Sequence, residues 1–327
     1  MFIFHQGGEN EQMNEMTGRF SHSDLVSRIA WLYFIKGFTQ LQISQRLNIS
    51  RMQVQRSLSK SKKEGLVRIQ INDPRTTCFE IEDDLKSRFS LVDAVVVPTP
   101  REKNGIKSAL GYAAAAYLLR HVSDNQIIGV GWGTTLDKMS RFISGKSRQN
   151  IRIVSLVGGS GKKAEESPYE VAFKFADALK APCYYISAPA IVDSPASRSI
   201  LIEEKSVNHT LNIAKSSDLA ILGIGNADED STLIEAGLLS SQEIKKLRAK
   251  GAVGDICAHF YSLQGQPVDQ GYMNRVIGLG LQDLRKIKTV IGIAGGKNKV
   301  AAIFGALTGG LVDVLVTDEQ AAENILR

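Results

Sequence analysis

Nothing in this chain is long and apolar enough to span a membrane as a helix, which takes about 18 consecutive apolar residues. The first twenty residues hold Glu9, Glu11 and Glu15 and no apolar stretch of signal-peptide length, so a cytoplasmic protein with no membrane partner is expected. Cysteine is scarce. Cys78, Cys183 and Cys257 stand far apart without metal-ligand spacing, and they read as reduced, mostly buried thiols with no metal site. The five histidines, His5, His22, His121, His209 and His259, are scattered and form no Ser/His/Asp or metal pattern. Nucleotide motifs fail as well. In Gly129-x-Gly131, Thr134 stands where a dinucleotide site has its third glycine, and no acid follows the next strand. Gly158 to Lys163 is no P-loop, because Leu156 replaces the first glycine and Lys163 the Ser/Thr.

What remains is an ordinary globular composition, 43% apolar and 23% charged, long enough for one large domain and a small one. The net charge of +6 is unevenly placed. Residues 21–72 carry nine Lys/Arg (Arg28, Lys36, Arg46, Arg51, Arg56, Lys60, Lys62, Lys63, Arg68) against Asp24 and Glu64. The rest of the chain is close to neutral. A cationic surplus confined to about fifty residues suggests contact with a polyanion.

Residues 1–20 are polar and aperiodic, and a flexible tail is expected. Asp24 to Ile35 has helical spacing through Leu25, Ile29 and Leu32, with Trp31 and Phe34 widening the apolar face. Thr39 and Gln42 make a capping-box pattern for a second helix that carries Leu41, Ile43 and Leu47 inward to varying degrees. Ser50 caps a third, running from Arg51 to about Glu64 with Val54 and Leu58 inward. Small Ser44, turn residue Asn48 and β-branched Val54 have helix-turn-helix spacing, and the alternating run Leu66 to Ile71 suggests a winged variant. Arg51, Gln53, Gln55, Arg56, Ser59 and Lys60 fall on the outer face of the third helix. Arg and Gln suit bidentate contacts with base edges. A basic three-helix bundle that binds protein is the other reading of this segment, and the localised charge favours double-stranded DNA.

Asn72-Asp-Pro74 reads as a linker. From Cys78 onward, apolar runs alternate with helical patterns. Strands are expected at 93–97, 126–130, 151–157, 183–187, 219–224, 289–294 and 311–316. That alternation predicts an α/β domain with a doubly wound, mainly parallel sheet and a ligand site at the carboxyl ends of its strands. The run Gln126 to Leu136 looks like the floor of that site. Gly129, Gly131 and Gly133 permit a tight turn, and Thr134 and Thr135 open the next helix, where unpaired amides favour an anion. Gly295-Gly296-Lys-Asn-Lys299 is a second junction of the kind, with an ammonium to add; alone it would read as a turn with solvated lysines. Asp255 reads equally as an acceptor for sugar hydroxyls or as a turn residue.

The order of these motifs resembles the SorC-type sugar-binding transcriptional regulators over roughly 22–327. The marks are Thr39-Gln40 with Ile49-Ser50-Arg51, then Gly129-Val-Gly-Trp-Gly-Thr-Thr-Leu136, Ser155-Leu-Val-Gly-Gly159, Ala188-Pro-Ala190 and Leu222-Gly-Ile-Gly225. Gly251-Ala-Val-Gly-Asp-Ile256, Ala294-Gly-Gly-Lys-Asn-Lys299, Gly309-Gly310 and Thr317-Asp-Glu319 follow. Gln42 and Ser44 depart from the Glu and Ala of many members. The resemblance implies a homotetrameric repressor or activator of a carbohydrate operon, with an effector domain like the sugar-phosphate isomerase and deaminase fold. With the outer face of the third helix, operator contacts are expected from Thr39, Gln40, Ser50, Arg51, Gln53, Gln55, Arg56 and Lys60. Gly133, Thr134, Thr135, Asp255 and Lys299 match the family's effector positions, with Arg275 as a weaker match; together with Gly131, Gly295 and Gly296 of the two glycine junctions they would bind a sugar or sugar phosphate, and no cofactor is implied. The expected division is a tail (1–20), a DNA reader (21–72) and an effector and oligomerisation domain (73–327). An isomerase or deaminase with a fused DNA reader is the rival; its chemistry needs a paired acid and base, and only Asp255 offers itself.

Overall fold

The computed structural model describes residues 22–67, 76–102, 105–144, 148–160 and 167–327. The expected tail, most of the wing strand, the linker and the end of the Gly158 to Lys163 motif lie outside them. The chain forms two compact units, Met1–Asp73 and Pro74–Arg327.

The first unit is three helices, α1 (His22–Phe34), α2 (Gln40–Leu47) and α3 (Arg51–Lys63). Ile29, Leu32, Ile43, Val54 and Leu58 form its core. Both caps form as the sequence predicts. Thr39 Oγ1 accepts from Gln42 N at 3.3 Å while Gln42 Oε1 accepts from Thr39 N at 2.9 Å, so Gln does what Glu would in the capping box. Asn48 takes the left-handed conformation at φ 51°, which its short polar side chain tolerates. Ser44 is more than a small residue: its hydroxyl donates to Ile49 O at 2.6 Å and ties the turn. Trp31 departs from expectation. It follows Ile29 by two positions, about 200° round the helix, and so points outward under the Lys36 ammonium. Val26 and Ala30 widen the buried stripe instead, and Leu41 is half exposed.

The second unit opens with α4 (Thr76–Phe89), then β1 (Asp93–Val97), α5 (Gly105–His121), β2 (Ile127–Val130), α6 (Thr134–Ser140), β3 (Arg152–Ser155), α7 (Pro168–Leu179) and β4 (Cys183–Tyr184). Helices α8 (Pro195–Glu203) and α9 (Lys205–Lys215) lead into β5 (Leu219–Gly223) and β6 (Gly225–Asn226). Then come α10 (Thr232–Glu235), α11 (Ser241–Ala249), β7 (Gly254–Ile256), β8 (His259–Tyr261), α12 (Gln270–Met273) and α13 (Leu281–Leu284). The chain closes with β9 (Thr289–Ile293), a 3-10 turn (Lys297–Lys299), α14 (Val300–Thr308), β10 (Val314–Asp318) and α15 (Glu319–Leu326).

Seven strands form one sheet in the order β1-β10-β9-β5-β2-β3-β4, every pairing parallel. Two apolar clusters serve it. One holds Ile128, Val130, Ile221, Ile291 and Val316; the other holds Ala220, Leu222, Val290 and Leu315. Residues alternating along a strand face opposite sides, so the helices cover both faces, as a parallel sheet requires. From β2 the chain winds outward to β3 and β4; from β5 it winds the other way to β9 and β10. The switch point therefore falls between β2 and β5, where an open α/β sheet leaves a crevice beyond its carboxyl ends.

Several boundaries differ from expectation. β4 holds two residues rather than five, and β10 begins at Val314 because buried Leu311 and Val312 precede the strand. A second sheet, β6-β7-β8, is antiparallel; Gly251 to Phe260 reads from sequence as a glycine-rich lead into a single strand, and the hairpin and its pairing with β6 are additional.

Candidate functional site

Helix α3 presents Arg51, Gln53, Gln55, Arg56 and Ser59 to solvent, while Val54 and Leu58 are buried beneath them. Lys60 is partly covered and lies 3.8 Å from Glu64. The Ser50 hydroxyl accepts from Gln53 N at 3.1 Å and so orients the start of the helix. Thr39, Gln40 and Arg51 border one shallow depression, so the starts of α2 and α3 are neighbours. That is a flat cationic face on a rigid helix, with the turn beside it.

In the larger unit the predicted residues gather around the switch point. Gly131 N donates to Ile221 O at 2.8 Å, and a Cβ on Gly131 would lie 3.3 Å from that oxygen, so β2 leaves the sheet hard against β5. Gly133 then takes φ 122°, a conformation for glycine alone, and swings the chain into α6. Thr134 and Thr135 open that helix half-buried. Asp137, one turn on, is buried and braced by Arg141 at 2.9 Å and Lys174 at 2.7 Å.

Asp255 sits buried in β7, opposite Gly225. Its carboxylate occupies the space a side chain at 225 would need, which accounts for glycine there. Burial pushes the Asp255 pKa up to about 6, opposed by the Lys299 charge and the Ala258 amide, which donates to Oδ2 at 3.1 Å. Burial also lowers the Lys299 ammonium, while Asp255 and Asp230 pull it back up. Lys299 Nζ donates to Asn226 Oδ1 at 3.0 Å, and Asn226 Nδ2 donates to Asp230 Oδ1 at 2.7 Å. Asn298 Nδ2 reaches Asp230 Oδ2 at 3.0 Å. Against its own burial, these amides and Lys299 hold Asp230 below the ordinary carboxylate range.

The second glycine junction is braced from behind. Gly296 N donates to Asp318 Oδ1 at 2.6 Å, and a Cβ at Gly295 would come within 2.4 Å of that oxygen. The Gly296 amide is thus engaged inside the fold, and the half-buried Lys299 ammonium is the charged donor of the turn. Arg275 is anchored too: Nε donates to Val192 O at 2.7 Å and Nη1 lies 3.3 Å from Glu243. Sequence reasoning missed Asn226, Asp230 and Asp318. Asn226 follows Gly225 directly and Asp318 lies in the quoted Thr317-Asp-Glu319, but nothing local marks their partners.

An α/β sheet with a charged crevice at its switch point, joined to a helix-turn-helix unit, defines a ligand-responsive transcriptional regulator. The comparisons with known proteins agree. The family described as "Putative sugar-binding domain" matches residues 73–327. The chain is 37% identical over 311 residues to the transcriptional regulator LsrR of Escherichia coli O139:H28, covering 92% of this chain and 94% of that one. It is 32% identical over 300 residues to the deoxyribonucleoside regulator of Bacillus subtilis (strain 168), covering 91% and 95%. The full-length sorbitol operon regulator SorC from Klebsiella pneumoniae superposes with a TM-score of 0.74 at 29% identity, over 96% of this chain and all of that one. The chain belongs to the SorC-type sugar-binding transcriptional regulators. It is a regulator rather than an isomerase or deaminase, since its relatives are curated as regulators.

Proposed function

We propose that the effector, a sugar or sugar phosphate, binds across the carboxyl ends of β2, β5 and β9. The observation that carries this is the pair Asp255 and Lys299. Each acts electrostatically on the other, yet among the described residues no ion pair joins them. A half-buried cation and a buried carboxyl held apart at a switch point match the hydroxyls and phosphate of one small polar ligand. Strands lie about 4.8 Å apart, so the β2 and β9 ends are roughly 10 Å from each other, a span a sugar phosphate can bridge. Lys299 takes the phosphate, Asp255 takes hydroxyls, and Gly131, Gly133, Thr134 and Thr135 close the far side; Gly295 and Gly296 shape the near turn and Arg275 borders it. The smaller unit reads double-stranded operator DNA through α3 with Thr39 and Gln40 at its edge. The chain works as a homotetramer in the cytoplasm, with 21–72 as reader and 73–327 as effector and oligomerisation domain.

A thermal-shift screen against sugars, polyols and their phosphates tests the reading. Lys299→Met on the best phosphorylated ligand should lose about 10- to 150-fold in affinity, the worth of one charge-assisted hydrogen bond. The ligand-free melting temperature should be measured beside it, because the change removes the Lys299–Asn226 bond even though Asp255 can take up a proton once its neighbouring cation is gone. Parental affinity in Lys299→Met would refute this placement of the phosphate.

A further inference from the structure

Tyr272 is 6% exposed, and its hydroxyl is fully covered with no hydrogen-bond partner among the described residues. A buried phenol almost always finds a partner, because leaving the group unpaired costs free energy. Its surroundings place the ring. The ring packs edge-on against Phe260 with centroids 5.5 Å apart. Phe260 pairs directly across the β7–β8 hairpin from Asp255, and residues directly opposite in an antiparallel pair share a face. Tyr272 therefore lies on the Asp255 side of that hairpin. The charges of Asp255, Arg275 and Glu243 all act on its hydroxyl. Two of these, Asp255 and Arg275, are effector residues by the sequence reading. Its backbone is well held: Asp269 caps α12, accepting from Tyr272 N at 3.3 Å, and is itself held by Lys250 at 2.7 Å.

We propose that the Tyr272 hydroxyl is an effector contact that, with Asp255, recognises a sugar or polyol hydroxyl rather than the phosphate. The inference rests on the effector site proposed above and adds a neutral donor and acceptor to it. A phenol can both give and take a hydrogen bond, so it suits a ligand hydroxyl beside a carboxyl that accepts. It also divides the site in two. Lys299 answers to charge, and the Tyr272–Asp255 side answers to the number and placement of hydroxyls.

Tyr272→Phe removes the oxygen alone. Because the hydroxyl has no partner in the fold, the ligand-free melting temperature should stay level or rise. Affinity should be measured calorimetrically for parent and variant with D-ribose, D-sorbitol and D-fructose 6-phosphate, and with inorganic phosphate as the anion alone. Every sugar or polyol that binds the parent should bind Tyr272→Phe about 2- to 10-fold more weakly, the range for one neutral hydrogen bond. Any inorganic phosphate binding should be unchanged. Equal affinity of parent and variant for the sugars would overturn the Tyr272 assignment and leave the effector site standing. So would a lower ligand-free melting temperature with affinity unchanged, which marks a structural hydroxyl. A parent that binds none of the sugars overturns the effector site and this inference with it.

Discussion

Thr317 shows what a single unpaired oxygen is worth here. It is fully buried in β10 and its hydroxyl has no partner among the described residues. Replacing an unsatisfied buried polar group by an apolar one of like shape is neutral or stabilising. Thr317→Val should therefore melt at the same temperature as the parent or higher, and a clear drop would mean the hydroxyl is engaged. Asp255 makes the matching case for charge. Its folded-state pKa, about 6, lies above the unfolded value. The folded protein thus holds that proton more tightly, and the stability it contributes is lost as pH rises from about 4 to about 6. The carboxylate is the form that accepts from hydroxyls, so affinity for an unphosphorylated ligand should rise as pH passes through the folded-state value of about 6. Calorimetry with a neutral polyol between about pH 5 and 8 checks this without interference from a phosphate that titrates near 6. Asp255→Asn should flatten the profile, and a flat profile in the parent would count against Asp255 as acceptor.

At the scale of elements, α3 carries the sharpest expectation. Arg51 and Arg56 are exposed on a helix whose cap and inward residues are all accounted for. Arg51→Ala and Arg56→Ala should each weaken operator binding and leave effector binding intact. A guanine-edge contact would cost about 1–3 kcal/mol at one base position. A phosphate contact would weaken all sequences alike and lower the salt slope by about one. Parental operator affinity in both variants would contradict the role given to α3. This unit was legible in the sequence because its signals are local: Thr39 and Gln42 are three residues apart, and Asn48 needs only its own backbone. The parallel strands were legible as apolar runs, since a strand buried on both faces has no alternation to hide it. The pairing of the β6-β7-β8 sheet was not, beyond one strand expected after the glycine-rich lead from Gly251, because strands of two or three residues show no period. Nor was the Lys299–Asn226 bond, whose partners are 73 residues apart.

At the scale of the molecule, one helix-turn-helix reads only a half-site, so a symmetric operator demands at least two chains. Sedimentation at micromolar concentration should show a dimer or larger, and a tetramer on DNA with half-sites about 34 Å apart or multiples of that. A monomer with and without operator would refute it. A response must also pass from crevice to scaffold, and Asp318 is where the two touch. One of its oxygens braces the Gly296 amide. The other takes the Thr99 hydroxyl at 2.8 Å and caps α15 through Ala321 N. A helix cap contributes about 0.5–2 kcal/mol, and the coupling between two ligand sites is typically about 1–3 kcal/mol. These are the same size. A ligand that moved the β9 turn would act on the same carboxylate that caps the last helix. One carboxylate is thus a hinge pin shared by the turn and the helix.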